Sequence, residues 1–522
     1  MLPNLKDLIN RLFNSTSFPP TLLVIALVSV FVFQNDRDSF QPGHHGFLSS
    51  HGMTIAANLS PKHRFLMFDK MSREEDGTIR YNVYNRFPIG AFVTIRLLTL
   101  PFYNDLSMQI SVARMLMNSF FVAAACFACL SIFRLTRSRW VAVTATLLAF
   151  SSYYCLYYND MIFNDVPTLF GLLLTFHGMV VFVQDGRFTQ LLIKTCAGLF
   201  FGWQVYAMLL PFTVLGCTKE LIASLSVRSL VRSRFFILGV SSLLFGTAIL
   251  TSNLAGEYLA LHAPLRELPT FRMMLWRLGL ADPESYDRCV RILNWPEFFK
   301  GQLGRIGRMS VPYILHCDYI SKLLKALGGA VVVISLGGAV VVISLGGAAI
   351  ARQRILIVSL VVSGLCWAIP MRHFVAFHDF QSIFYIGVPL AFFSMVALLV
   401  EKASKVLSVG FASTALLIFS LSCIHLNITK AAGADTEKNI LTAEFQRIAD
   451  HVGTHRTIFV DGDYRSIGGG RHAVGFYLAG NYFQPSAENA EFILSGSRIE
   501  GLSLLTPRNE KVFLYKGTKS EP

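Results

Sequence analysis

The sequence predicts a polytopic α-helical membrane protein of about eleven spans, ending in a small α/β domain outside the membrane. Three observations predict it. Hydrophobic residues make up 53% of the 522-residue chain and charged ones only 15%, whereas a soluble domain carries roughly 25% charge. The apolar residues fall into runs of spanning length, with basic residues gathered in the short loops between them. After about residue 427 the composition turns soluble.

The first apolar run, residues 19–33, follows Lys6 and Arg11 and has no small-residue cleavage site behind it. It reads as a retained anchor with the N-terminus cytoplasmic. Further runs occupy 107–133, 140–157, 163–183, 191–202, 205–217, 235–253, 327–350, 355–369, 383–400 and 406–425. The pair 191–202 and 205–217 is short, joined by a tight turn around Gly202 and Gln204. Two spans are needed there because Arg187 and Lys194 before it, and Lys219 to Arg234 after it, are all basic and belong on one side. The net charge of +14 has the same origin: Arg134, Arg137 and Arg139, then Arg228, Arg232 and Arg234, Arg352 and Arg354, Lys402 and Lys405 all flank apolar runs. That placement points to membrane lipid, and no nucleic-acid partner is expected.

This count puts the loop 34–106, the turn 159–165, the loop 254–322, the turn 371–382 and everything after residue 425 on the outer face. The histidine- and aspartate-rich segments all fall there. Within the first loop, 87–102 is apolar but short and interrupted by Arg96, which suits an interfacial helix. The loop 254–322 alternates aromatics with Arg266, Arg272, Arg277, Arg288, Arg291, Lys300, Arg305 and Arg308, the pattern of amphipathic helices on an anionic surface. The nonapeptide LGGAVVVIS occurs twice in tandem, at 327–335 and 336–344, and is assigned no chemistry. Nine cysteines are scattered; Cys126 and Cys129, mid-run, read as small packing residues. Residues 1–426 thus form a transmembrane module. In 427–522, TIFVDGD, HAVGFYLAG, AEFILSG and KVFLYKG read as strands and 437–451 as an amphipathic helix.

The chemistry concentrates in the polar loop directly after the first span, which crowds Asp36, Asp38, His44, His45 and His51. Ionisable groups at a bilayer are costly, so such a cluster is a site hypothesis. The three histidines with Asp36 or Asp38 offer ligands for a divalent metal, although no H-E-x-x-H or C-x-x-C spacing accompanies them. The alternative is a set of hydrogen-bonding histidines that shape an acceptor groove. Across the membrane face, the stretch 372–382 supplies Arg372, His373, His378 and Asp379 between two spans. Asp160 and Asp165 sit at a span end, Asp165 as the functional choice and Asp160 as a marker of the water boundary. His177 lies alone on an apolar helix and reads as core.

The order of these parts resembles the GT-C glycosyltransferases, in particular the superfamily of dolichyl-phosphate-mannose–protein mannosyltransferases and bacterial aminoarabinose transferases. YNVYNRFPIGAFVTIRLL, which contains Arg86, resembles its segment leading into the second span. YYNDMIFNDVPTLFGLLL resembles its second acidic motif, with Asp165 two residues before Pro167, and GLFFGWQVYAMLLPF its paired short helices. The resemblance implies transfer of a sugar from a polyprenyl-phosphate donor to a lipid, protein or polysaccharide acceptor at the outer face of the cytoplasmic membrane. It maps the general base onto Asp36 or Asp38, with Asp38 preferred. The first-loop motif here is N-D-R-D followed by a histidine bank, and Gln204 stands where a lysine is common, so Arg372 is an alternative phosphate contact. The rival reading is a transporter or flippase; its marks are internal repeats and midplane binding groups, and here the charges gather on one face.

Overall fold

The computed structural model describes residues 22–27, 40, 43–63, 65–74, 76, 78–278, 280, 295–315, 348–375, 378–432, 437–461, 470–479, 481–484, 486–495, 504–505 and 513–517. Asp36 and Asp38, the tandem nonapeptide and most of the expected span 327–350 lie outside the described residues.

The chain opens with helix α1 (Gly43–Asn58), followed by the antiparallel hairpin β1 (Phe68–Arg73) and β2 (Ile79–Val83). Helix α2 (Gly90–Thr99) covers the stretch expected to be interfacial. The helix α3 (Leu106–Thr136) is 31 residues long, about 46 Å at 1.5 Å per residue. Asp105 caps its start, accepting from the Met108 amide at 2.8 Å, and Arg137 closes it in the left-handed region at φ 60°. The run expected as one span at 140–157 divides into α4 (Arg139–Phe150) and the short α5 (Tyr153–Tyr157). The break is fixed from outside the run: Ser152 bridges to Pro312, and the Ser151 carbonyl accepts from the Tyr313 amide at 2.7 Å.

Helices α6 (Asp165–Asp185) and α7 (Phe188–Phe201) form a hairpin around Gly186, at φ 69°. Glycines set their spacing. A Cβ built on Gly198 would meet Thr175 Oγ1 at 2.5 Å and the Gly171 carbonyl at 2.7 Å, so the two backbones approach as only small residues allow. α8 (Val205–Ser224) follows after a three-residue turn, as the charge pattern required, and α9 (Arg234–Leu261) runs eight residues beyond the expected end of its span. Then come α10 (Pro269–Arg277), α11 (Trp295–Met309), α12 (Ala348–Ala368), a 3-10 helix at Asp379–Ile386, α13 (Gly387–Ala403), α14 (Lys405–Ala432) and α15 (Glu437–Val452). Among the described residues, six helices are long and apolar enough to cross a membrane, and four shorter apolar ones accompany them. The protein is an integral membrane protein.

The remaining elements are β3 (Thr457–Asp461), α16 (Gly470–Tyr477), β4 (Tyr482–Gln484), β5 (Phe492–Ser495) and β6 (Phe513–Lys516). HAVGFYLAG, expected as a strand, is helical over Gly470–Tyr477. The reason is topological: β3 and β4 are parallel neighbours, so the chain between them must cross back, and a helix is the usual crossover. The sheet runs β2-β1-β4-β3-β5-β6. Its strands therefore come from both the first large loop and the C-terminal region, joined where β1 pairs with β4 at Met71 and Tyr482.

Candidate functional site

Helix α1 carries two histidines six residues apart, on different faces, and they go to different partners. His45 Nε2 donates to Asp160 Oδ1 at 3.1 Å, and Arg114 Nη1 on α3 stands 3.7 Å from Asp160 Oδ2. The Ser49 hydroxyl faces His45 Nδ1 at 3.4 Å and accepts from the Ile162 amide at 3.1 Å. That arrangement requires Nε2 to carry a proton. His51 Nε2 is 3.8 Å from Asp69 Oδ2 on β1, whose other oxygen accepts from Asn82 at 2.6 Å. These histidines and carboxylates form two separate pairs. Among the described residues no group of three or more His, Cys, Asp or Glu is placed to hold a metal ion.

The second constellation lies at the start of α6. Asp165 is 1% exposed, and its Oδ1 accepts from the Gln381 amide at 2.5 Å; Gln381 Oε1 in turn accepts from Trp367 Nε1 at 2.9 Å. Asp165 Oδ2 is buried without a hydrogen-bond partner among the described residues. Arg277, 5% exposed at the end of α10, interacts electrostatically with both Asp165 and Arg86. Its guanidinium lies 4.0 Å from the Phe374 ring centroid and 5.3 Å from that of Phe87, and its Nε has no hydrogen-bond partner among the described residues. Aromatic faces stabilise such a cation, while burial and the Arg86 charge push it down to about 9.

Arg86 sits 3.9 Å above the Tyr84 ring. Its backbone is held on two sides. The Trp203 indole donates to the Arg86 carbonyl at 3.1 Å, which brings the α7–α8 turn and the buried Gln204 alongside. Asn253 on α9 donates to the carbonyls of Asn85 and Phe87 at 2.9 and 3.0 Å and accepts from the Asn85 side chain at 2.9 Å. The 372–382 stretch splits its roles: Asp379 pairs with Arg305 of α11 at 3.0 Å, His378 packs between Phe374 and Phe380, and Arg372 covers Trp295 at 4.6 Å. His177 is a core residue on α6, near Ser131 at 3.4 Å.

No family model matches the chain, and no curated protein sequence matches it. Its structure is similar to the crystal structure of ArnT from Cupriavidus metallidurans bound to undecaprenyl phosphate. The TM-score is 0.58 at 11% identity, over 96% of this chain and 98% of that one. The chain has the GT-C fold. A second similar structure is the Archaeoglobus fulgidus oligosaccharyltransferase in complex with Zn and sulfate, with a TM-score of 0.50 at 12% identity over 91% of this chain and 67% of that one.

Within this GT-C fold, the sequence-expected Asp165, Arg86 and Gln204 gather around the start of α6 and the α7–α8 turn, while His45 with Asp160 and His51 with Asp69 flank α1. His44 lies on α1, and Asp36 and Asp38 fall outside the described residues. Sequence reasoning missed Arg114, Arg277 and Gln381. Arg114 carried a signal, a cation inside an apolar run. Arg277 and Arg305 were expected on a membrane surface and are instead turned inward, both 5% exposed. Gln381 carried none, since a lone amide beside aromatics has many uses.

Proposed function

We propose that this protein is a membrane glycosyltransferase that moves a sugar from a polyprenyl-phosphate donor to an acceptor at the outer face of the cytoplasmic membrane. The observation that carries the proposal is a buried carboxylate, Asp165, with one oxygen unengaged, beside a buried guanidinium, Arg277, that has no carboxylate within ion-pair distance among the described residues. Glycosyl transfer needs both charges. A carboxylate takes the proton of the acceptor hydroxyl as its oxygen bonds to the anomeric carbon, and the bond from that carbon to the phosphate oxygen breaks. The electron pair leaves with the lipid phosphate, whose added charge a cation in a water-poor setting stabilises.

In this reading Arg277 and Arg86 receive the phosphate, with Gln204 beside them. Asp165, Asp36 and Asp38 are the proposed acid–base set, Asp38 first among the loop pair. His44, His45, His51 and Asp160 are the proposed acceptor contacts at α1, with Arg372, His378 and Asp379 as further substrate contacts. The GT-C fold supports the reading, because its solved examples include a protein crystallised with undecaprenyl phosphate.

The test is incorporation of labelled sugar from a panel of polyprenyl-phosphate donors by the purified protein in lipid vesicles. Transfer that disappears in Arg277→Gln and Asp165→Asn supports the proposal. Silence of the wild type across the panel, with solute uptake by the same vesicles, would replace it with the transporter reading.

A further inference from the structure

Three polar groups near Asp165 have no use in this scheme. Tyr154 on α5 is 1% exposed and Ser382, in the 3-10 helix at Asp379–Ile386, is 0% exposed. The Tyr154 hydroxyl, the Ser382 hydroxyl and Arg308 Nε on α11 are all buried without a hydrogen-bond partner among the described residues. Leaving such groups poorly satisfied costs about 1–3 kcal/mol, and two adjoining hydroxyls beside an Arg308 Nε without a partner call for an acceptor that all can share. The three converge. The Arg308 guanidinium lies 5.5 Å from the Tyr154 ring centroid, and the Ser382 hydroxyl adjoins the Tyr154 phenol closely enough to hydrogen-bond with it, with the charges of Arg308, Asp379 and Arg305 also acting on that phenol. The neighbouring Arg305 is already committed to Asp379 and to the Val375 carbonyl. Arg308 has no carboxylate within 4.0 Å among the described residues. Two neutral hydroxyl donors and one uncommitted guanidinium are the donor set of an oxyanion site.

The position of this set relates it to the transfer chemistry. Gln381 and Ser382 are consecutive in a 3-10 helix, where successive side chains point about 120° apart. Gln381 turns to Asp165, and Ser382 turns away from it to Tyr154. We propose that Arg308, Tyr154 and Ser382 form a second oxyanion subsite, across Gln381 from Asp165, that takes a phosphate or carboxylate group of the acceptor. Arg308 is only half-buried and its long side chain is the movable cover, while Tyr154 and Ser382 are fixed on backbone elements. The donor phosphate and the acceptor's acidic group then lie on opposite sides of Asp165, and the acceptor hydroxyl is held between them. The word acceptor rests on the glycosyl-transfer reading; the anion binding does not.

The experiment uses the purified full chain in detergent. Undecaprenyl phosphate is titrated first to saturation, and inorganic phosphate second, at constant ionic strength, with binding of each followed calorimetrically. The expected result is saturable phosphate binding to the lipid-loaded wild type and to Arg277→Gln. Binding should be weaker by about tenfold or more in Arg308→Gln, and by several-fold in Tyr154→Phe and Ser382→Ala. Arg308→Gln should leave undecaprenyl phosphate binding unchanged. Thermal unfolding of the Tyr154→Phe and Ser382→Ala variants, each smaller by one oxygen, guards against a folding defect. The subsite is overturned if the lipid-loaded wild type binds no phosphate, if Arg308→Gln binds as well as wild type, or if the lipid displaces the phosphate. Failure to bind or use the polyprenyl lipid, with phosphate binding intact, would instead sink the donor assignment and leave the subsite standing.

Discussion

Asp165→Asn separates catalysis from folding better than any other change at this site. The substitution is isosteric, and the new side-chain oxygen still accepts from Gln381, so the Trp367–Gln381 relay keeps its geometry. The new amide nitrogen occupies the position of Oδ2, which has no hydrogen-bond partner among the described residues. What is lost is an ionisable carboxyl beside Arg277. The isosteric amide keeps the Gln381 contact but leaves Arg277 without a neighbouring carboxyl, so the variant should still fold and unfold within a few degrees of the wild type. General-base work is worth roughly 10²–10⁴ in rate, about 3–5 kcal/mol of barrier, and transfer should fall by that factor. Asp165→Ala is the contrast: it strands the Gln381 amide and should cost about 1–3 kcal/mol of stability as well. Transfer is measured with labelled donor lipid and stability by thermal unfolding in detergent. If Asp165→Asn keeps activity within a few-fold of wild type, Asp165 takes no part in proton transfer and the acid–base role passes to the first loop.

Three further outcomes follow from the geometry. His45→Leu removes one hydrogen-bonding partner of a buried carboxylate, Asp160, while Arg114 stays, and should lower stability by about 1–3 kcal/mol in chemical unfolding; an unchanged stability would mean that the other partners of Asp160, Arg114 among them, suffice. Asn253→Leu deletes the two hydrogen bonds that its side chain gives to the segment carrying Arg86 and keeps only the one accepted by its backbone carbonyl, so KM for the donor lipid should rise at least tenfold, and an unchanged KM would detach that segment from donor binding. Gly198→Val drives side-chain atoms into Thr175 and the Gly171 carbonyl; the yield of folded protein should collapse, whereas the same change at Gly301, where a Cβ meets nothing within 4 Å, should be tolerated.

The membrane module was legible in sequence because its signals are one-dimensional: apolar run length, loop charge and the turn at Gly202 each constrain the answer independently. What stayed hidden depended on contacts from far along the chain. GHHGFLSSHGMTIAAN has three glycines and poor helix propensity, yet forms α1 because nearly every described side chain in it is buried by neighbours, and packing rather than propensity sets most helices. Arg277 and Arg305 read as surface cations because composition alone does not say that Phe374, Phe87 and Asp379 lie opposite them. The strand expected at HAVGFYLAG failed for a similar reason: β-branched and aromatic residues suit a strand, and only the parallel pairing of β3 with β4 demands a crossover. Asp165 could be singled out because a carboxylate at the mouth of a span has few bland explanations, whereas Gln381, its hydrogen-bond partner, has many.

Helix α1 joins these observations mechanically. One of its histidines is tied to the helical bundle through Asp160, and the other faces Asp69 on the sheet. On the same helix Thr54 packs against Gly475, and just before it Phe40 meets Phe476 and Tyr477 of α16 at 5.7 and 5.8 Å. The sheet side of that clamp is built partly from the C-terminal strands, since β1 continues into them through β4. A shift of the C-terminal region would therefore move β1, Asp69 and α1 together, and with them the start of α1 that follows the Asp36–Asp38 loop. Buried polar pairs define position more sharply than apolar contacts, because a displacement of an ångström or two leaves each partner unsatisfied at a cost of about 1–3 kcal/mol. The two His–Asp contacts of this short helix therefore face different bodies, His45 the helical bundle and His51 the sheet, and the hydrogen-bonded His45–Asp160 pair is the one that sets position most sharply.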